Sequence, residues 1–404
     1  MSNRILLSKK DSQISAEISI GGSKSETNRL LILNALYENP IQLSNISDSD
    51  DSRLLQSALS SDSTQIDIHH AGTAMRFLTA YFAIQENRTV VLTGSDRMKE
   101  RPIGVLVDAL RSLGAEISYL DKEGFPPLKI QGGKLTTNFV EVEANISSQF
   151  ITALLLIAPK FPKGLHIQLN GKITSRPYLE MSLKLVNQVG ISTEFKGNII
   201  RILPQTNLEN KIHRIESDWS SASYFYSIAA LSDSVEIKLD TFFSNSLQGD
   251  SEVVEIYKNY FGVQTQFVGN QILLSKIPNF NFNEVILDLN RTPDLAQTIA
   301  VTCTGLKLKC KLSGLETLKI KETDRLLALQ NELAKIGAQV EITNDSLEIQ
   351  DFFEVSEIPL IKTYNDHRMA MSFAPLVVFQ DLEIENPKVV EKSYPNFWED
   401  FEKL

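Results

Sequence analysis

The stretch Gly21-Gly22-Ser23-Lys24-Ser25-Glu26-Thr27-Asn28-Arg29 stands between two segments of different periodicity. Before it, Ile18 and Ile20 alternate with polar neighbours, the two-residue rhythm of a strand. After it, Leu30, Leu31, Leu33, Ala35 and Leu36 fall on one face of a helix. The polar stretch is therefore a strand-to-helix turn. Two glycines remove the Cβ atoms that would keep a ligand away from the backbone. A helix start offers free N–H groups and the positive end of the peptide dipoles, and so attracts an anion. Lys24 and Arg29 add two full charges, and Ser25 and Arg29, four residues apart, share a helix face. An ordinary N-capped helix is the plain alternative. A Walker A loop is excluded, because Ser23 and Ile18 occupy the positions of its two glycines.

Outward from this turn the chain repeats itself. Gly114, Gly190, Gly262 and Gly337 recur about every 75 residues, each ending a helical pattern and opening a strand–turn–strand. Each glycine suits a helix C-terminus that needs a positive φ. The turns that follow, such as Gly197-Asn198 and Asn344-Asp345, carry hairpin chemistry. A shorter copy at Leu54–Ile68 predicts a trimmed first unit. Repeats of helix and hairpin predict an α/β protein whose short mixed sheets are each covered by helices. With 404 residues the chain exceeds one ordinary core, so two domains are expected. No linker tract separates them; Gly21-Gly22 and Arg214–Asp218 are the candidate crossings.

Composition narrows the class. Hydrophobic content of 42% and charged content of 22% suit a globular protein, and no apolar run is long enough to span a bilayer. The N-terminal residues resemble neither a signal peptide nor a transit peptide, so a cytoplasmic location is expected. The net charge of −10 argues against nucleic acid as a partner. Cys303 and Cys310, the only cysteines, are expected to be reduced residues in or near the core. His69-His70 is adjacent in sequence and makes a poor metal pair.

Further turns repeat the logic of the first. Ala71–Leu78 places a glycine turn and Arg76 at the start of an apolar helix. Arg97–Gly104 packs Arg97, Lys99 and Arg101 before a helix expected to hold Pro102 in its first turn. Ser147-Ser148-Gln149 opens another, and two hydroxyls with an amide suit a phosphate or a polyol. Ser175-Arg176-Pro177-Tyr178 is similar. In the second half, Asp294 precedes an apolar helix, with a capping role as its plain alternative. Lys321–Arg325 brings Lys321 and Arg325 onto one face, and Tyr364–Met371 sets a polar cluster before a helix. Lys392-Ser393-Tyr394-Pro395 closes the series. Solvated helix starts favour Asp and Glu, so this many starts bearing Lys, Arg, Ser and Thr point to shared anion binding.

In these motifs, together with Asp48-Ser49-Asp50-Asp51 and Ser217–Phe225, the chain resembles the 5-enolpyruvylshikimate-3-phosphate synthases of the enolpyruvyl transferase family. The likeness runs through at least eight ordered motifs over nearly the whole length. It implies two domains of three α/β units each, resembling inverted α/β barrels, closing over a cleft. It implies that residues 1–20 and 216–404 make one domain and residues 21–215 the other. The implied reaction moves the enolpyruvyl group of phosphoenolpyruvate to the 5-hydroxyl of shikimate-3-phosphate and releases phosphate. It proceeds by addition and elimination, with no metal, cofactor or covalent enzyme adduct, on the route to chorismate and the aromatic amino acids. A monomer is expected.

Carried over motif by motif, the likeness assigns Lys24, Gly72, Thr73, Arg97, Gln149, Arg325, Arg368 and Lys392 to phosphoenolpyruvate. It assigns Lys24, Ser25, Arg29, Ser147, Ser148, Gln149, Ser175, Tyr178, Asp294 and Lys321 to shikimate-3-phosphate. Asp294 and Glu322 are the acid/base candidates, with Lys24 sharing proton transfer. Glyphosate, the family's inhibitor, would compete at the donor pocket. Three residues depart from the family pattern: His70 for an Asn, Phe77 for a Pro, and Thr317 for an Asn. Two alternatives remain open. A UDP-N-acetylglucosamine enolpyruvyl transferase would carry a loop Cys, which Arg97–Pro102 lacks. A non-catalytic anion binder would have no use for carboxylates among its cations.

Overall fold

The computed structural model describes residues 3–38, 40–144, 148–171, 173 and 176–404. It divides into two compact units, Met1–Gly21 with Glu216–Leu404, and Gly22–Ile215.

Within Gly22–Ile215, three helices form the interior: Lys24–Leu36, Gly72–Ala83 and Ser148–Ile157. Every residue of Gly72–Ala83 is buried, and Lys24–Leu36 is buried from Glu26 to Leu36 except at Ala35. The single apolar face expected for Lys24–Leu36 thus gives way to burial on every side, the state of a helix inside a core. Its polar residues are satisfied internally: Asn34 donates to the Ile41 carbonyl at 3.0 Å and accepts from the Ile41 N–H at 2.8 Å. Helices Asp50–Ser60, Gly104–Ser112 and Arg176–Gln188 are amphipathic and keep one face wet.

The unit of Glu216–Leu404 repeats the plan. Helices Trp219–Leu231, Ala296–Gly305 and His367–Phe373 lie in its core. A seam of hydroxyls joins them: Ser223 to Thr298 at 3.1 Å, Thr298 to Ser372 at 3.3 Å and Ser227 to Thr302 at 2.8 Å. Small side chains let the helices approach, and each hydroxyl finds a partner inside the core.

Four four-stranded sheets share one connectivity, a parallel pair extended by an antiparallel hairpin. One runs Gln13–Ile18, Ser234–Asp240, Gln271–Lys276, Val263–Val268, with Gln13 opposite Ser234 and Val263 opposite Lys276. Along Ser234–Asp240, Val235, Ile237 and Leu239 face the core while their neighbours face water, as strict alternation requires. Gly114, Gly190, Gly262 and Gly337 take φ of +106°, +98°, +66° and +91°, so the periodic glycines do end helices in the left-handed region. The shorter copy read at Leu54–Ile68 falls on the helix Asp50–Ser60 and the strand Gln65–Asp67, and that strand joins a full four-stranded sheet; the reduced sheet lies elsewhere, where Ile41–Ser44 pairs in parallel with Lys211–Arg214. The sixth sheet joins Arg4–Leu7, Leu382–Glu385 and Leu360–Ile361. Pro102 is not helical; Asp96–Lys99 forms its own turn, and the next helix begins at Gly104. Cys303 and Cys310 are buried and free.

Candidate active site

In the unit of Glu216–Leu404, four cations and three carboxylates meet at helix starts. The Arg325 guanidinium, 2% exposed, is the hub. Its Nε donates to Asp366 Oδ2 at 2.7 Å, its Nη1 to Asp294 Oδ1 at 3.1 Å and its Nη2 to Glu322 Oε2 at 2.9 Å. Burial works against this charge, but Asp366, Glu322 and Asp294 together outweigh it and hold the group more firmly protonated than a free arginine. Lys392 reaches Glu322 Oε1 at 2.5 Å. Asp294 also receives Arg368 at 2.9 Å and Lys321 at 3.7 Å. Burial lowers the Lys321 pKa, partly offset by the charge of Asp294.

Local chain geometry delivers these groups. Asp366 caps His367–Phe373 by accepting the Arg368 N–H at 2.9 Å, so one carboxylate serves both helix and hub. Tyr364 and Asn365, at φ +53° and +55°, bend the chain into that cap. Asp294 lies in the turn Pro293–Leu295, and its oxygens meet the three cations Lys321, Arg325 and Arg368. Thr317, in the turn before Lys321, has a buried hydroxyl without a hydrogen-bond partner among the described residues.

In the unit of Gly22–Ile215, Ser23 caps the first helix and Lys24 begins it. Lys24 Nζ lies 3.8 Å from Asp51, a buried carboxylate in the quoted Asp48–Asp51 motif to which the motif reading gave no role. Arg29 is buried. It donates to Ser182 Oγ at 2.7 Å and to the Ser25 carbonyl at 2.7 Å, and stacks at 5.6 Å over Phe77, one of the departures. Burial draws its pKa down to about 10, which leaves it charged at neutral pH. Tyr178 is half-buried on Arg176–Gln188 and offers its carbonyl to Arg29 at 3.4 Å. Ser148 starts its helix, and Gln149 Nε2 donates to Thr73 Oγ1 at 3.2 Å, joining two helix starts. Ser147 and Ser175 lie outside the described residues.

Arg97 is placed otherwise than the motif suggested. Its side chain is exposed and pairs with Glu100 at 2.9 Å. Arg101 instead lies against Gly72, where an added Cβ would come within 2.5 Å of Nη1. Its Nε is buried and has no hydrogen-bond partner among the described residues. The signal for Arg101 was present in the same basic run, but which of three cations turns inward depends on the short Asp96–Lys99 turn. Gly22 likewise has a different use. The space of its absent Cβ is filled by the Asn45 carbonyl, only 1.8 Å from a built Cβ, so this glycine serves backbone packing. His69 and His70 are exposed, and the described residues contain no group of three or more His, Cys, Asp or Glu placed to hold a metal ion. No helix among them is long and apolar enough to cross a membrane.

The sequence model of EPSP synthase (3-phosphoshikimate 1-carboxyvinyltransferase) matches residues 52–401. The chain belongs to the EPSP synthase family. A Bacteroides fragilis 3-phosphoshikimate 1-carboxyvinyltransferase is 44% identical to it over 99% of this chain and 97% of the relative. A Vibrio cholerae protein of the same name is 37% identical over 97% of each. Among solved structures, EPSP synthase from Acinetobacter baumannii superposes with a TM-score of 0.77 at 19% identity, covering 99% of this chain and 98% of that one. The enolpyruvyl transferase NikO from Streptomyces tendae gives 0.73 at 12% identity over 99% and 97%. At such identities the two structures speak for the fold alone, a mixed α/β enolpyruvyl transferase fold.

Proposed function

We infer that this EPSP synthase family enzyme transfers the enolpyruvyl group of phosphoenolpyruvate to the 5-hydroxyl of shikimate-3-phosphate, releasing phosphate. The observation that carries the chemical reading is the pairing of Asp294 and Glu322, each held by two or more cations. A donor with a carboxylate and a phosphate would compete with these carboxylates for the same cations. Its arrival would free Asp294 and Glu322 to move protons, and the cations would hold the charge that develops.

In the addition step, a proton reaches the donor methylene carbon while the acceptor oxygen bonds to the adjacent carbon and gives up its own proton. Elimination returns the methyl proton to an enzyme base, restores the double bond and expels phosphate. Glu322 and Asp294 are our acid/base pair, with Lys24 sharing the transfer. Lys24, Gly72, Thr73, Gln149, Arg325, Arg368 and Lys392 are assigned to the donor, with Arg101 in place of Arg97. Lys24, Ser25, Arg29, Ser147, Ser148, Gln149, Ser175, Tyr178, Asp294 and Lys321 are assigned to the acceptor. The enzyme is read as a cytoplasmic monomer.

The test is phosphate release from phosphoenolpyruvate with shikimate-3-phosphate as acceptor. Release with UDP-N-acetylglucosamine and none with shikimate-3-phosphate would overturn the reading. Binding of both substrates with no release would leave a non-catalytic anion binder.

A further inference from the structure

Asp250 stands beside the cation cluster, and the assignments above leave it without a role. It is 4% exposed, in the turn Gly249–Glu252. One carboxylate oxygen accepts the Ser220 hydroxyl; the other, Oδ1, is buried with no hydrogen-bond partner among the described residues. Such a group is costly to bury and is kept where it has a use. The turn is fastened in place by its neighbour. Gln248 accepts the Trp219 N–H at 3.0 Å and donates to the Ser217 carbonyl at 2.9 Å, which fixes the turn on the start of Trp219–Leu231.

Ser220 is the link to the cluster. Arg368 Nη2 donates to Ser220 Oγ at 3.3 Å and contacts Asp294 Oδ2 at 2.9 Å, while Nη1 donates to the Asp294 carbonyl at 3.1 Å. A serine hydroxyl carries one proton and two lone pairs. It presents a lone pair to a guanidinium dependably only when its proton is committed elsewhere. Asp250 takes that proton. The relay Asp250–Ser220–Arg368 therefore orients one edge of the guanidinium.

We propose that Asp250 is a positioning residue for the donor substrate, acting through Ser220 to set the orientation of Arg368. This rests on the reading of Arg368 as a donor-binding cation. Four variants test it in the full chain: Asp250→Ala, Asp250→Asn, Ser220→Ala, and the Asp250→Ala/Ser220→Ala pair. Asp250→Ala and Ser220→Ala should each raise KM for phosphoenolpyruvate about tenfold, the scale of one hydrogen bond to a charged group. kcat and shikimate-3-phosphate affinity by calorimetry should change less than threefold. The double variant should be no worse than either single one, because one relay is broken once. Asp250→Asn, whose amide oxygen still accepts the serine proton, should stay within about threefold of wild type.

Unchanged KM in Asp250→Ala overturns the proposal, as do multiplying effects in the double variant. So does an equal loss of both substrates' affinity, the mark of a merely structural residue. Arg368→Ala separates this from the underlying reading. If it leaves KM for phosphoenolpyruvate alone, the assignment of Arg368 fails; if it raises KM while Asp250→Ala does not, only the relay fails.

Discussion

Replacing Arg325 by Met removes the hub and nearly preserves its volume. The structure shows where the damage falls. Glu322 keeps Lys392 at 2.5 Å, and Asp294 keeps Arg368 at 2.9 Å and Lys321 at 3.7 Å. Asp366, fully buried, keeps among the described residues the Arg368 N–H at 2.9 Å and His367 Nδ1 at 3.6 Å. Removing one partner of a buried pair costs about 3–5 kcal/mol, because a charge is left uncompensated. For a unit of this size that is a melting point lower by roughly 6–20 °C. Asp366→Asn in the same background should recover about half of the loss. It removes the stranded charge, and asparagine still caps the helix. Both tryptophans, Trp219 and Trp398, belong to the unit of Glu216–Leu404. Tryptophan fluorescence during urea unfolding therefore reads that unit alone, which matters because two units need not unfold as one transition. A loss below about 1 kcal/mol in Arg325→Met, or no recovery in the double variant, would refute the hub.

Glu322→Gln and Asp294→Asn should each cut turnover by about 10²–10⁴-fold while retaining shikimate-3-phosphate binding by calorimetry; near-normal turnover in both removes them from proton transfer. Gly22→Ala must drive a Cβ into the Asn45 carbonyl 1.8 Å away, so its melting point should fall by the equivalent of about 1–3 kcal/mol. Burial, with the nearby charge of Asp294, pushes the Asp250 carboxyl up to about 7 despite Arg368 and Ser220. Between the ordinary carboxylate range and that value the folded chain holds a proton that the unfolded chain has lost. Wild-type stability should therefore fall as pH rises through this window. Asp250→Asn abolishes that slope, so its stability advantage over wild type should grow by roughly 2 kcal/mol from pH 5 to pH 8 in matched urea titrations. An advantage independent of pH would contradict the raised value.

Local signals in the sequence located the elements well. The glycines at 114, 190, 262 and 337 could be read because a positive φ is a property of one residue and its neighbours. The hairpins behind them were legible for the same reason. Facing was harder. Lys24–Leu36 reads as amphipathic from its leucines, yet Asn34 and Thr27 are buried because Ile41 and Ser47 satisfy them. Within the basic run, charge alone does not separate Arg97 from Arg101; a four-residue turn does. Asp294 was visible as a candidate, but a carboxylate at a helix start looks the same whether it caps or gathers cations. Asp250 gave no signal, and Ser220 stood inside the quoted Ser217–Phe225 motif without a role, since a relay assembled from a turn and two helices has no spacing along the chain.

The pairing of the first strand with the last has a consequence for how the chain emerges from the ribosome. Arg4–Leu7 binds Leu382–Glu385, and the Arg4–Glu383 contact joins residues 379 apart. At about 5–20 residues per second, that strand waits some tens of seconds for its partner. Gln13–Ile18 waits for Ser234–Asp240. Meanwhile everything in Gly22–Ile215 has been synthesised, and its last pairing, Ile41–Ser44 with Lys211–Arg214, closes as soon as Arg214 is free. Synthesis order thus favours nested maturation, with the inserted unit complete while the N-terminal strands are still unpaired. Nascent chains arrested once Arg214 has cleared the ribosome should already protect the inserted unit from protease, whereas Arg4–Leu7 should stay cleavable until Leu382–Glu385 has emerged.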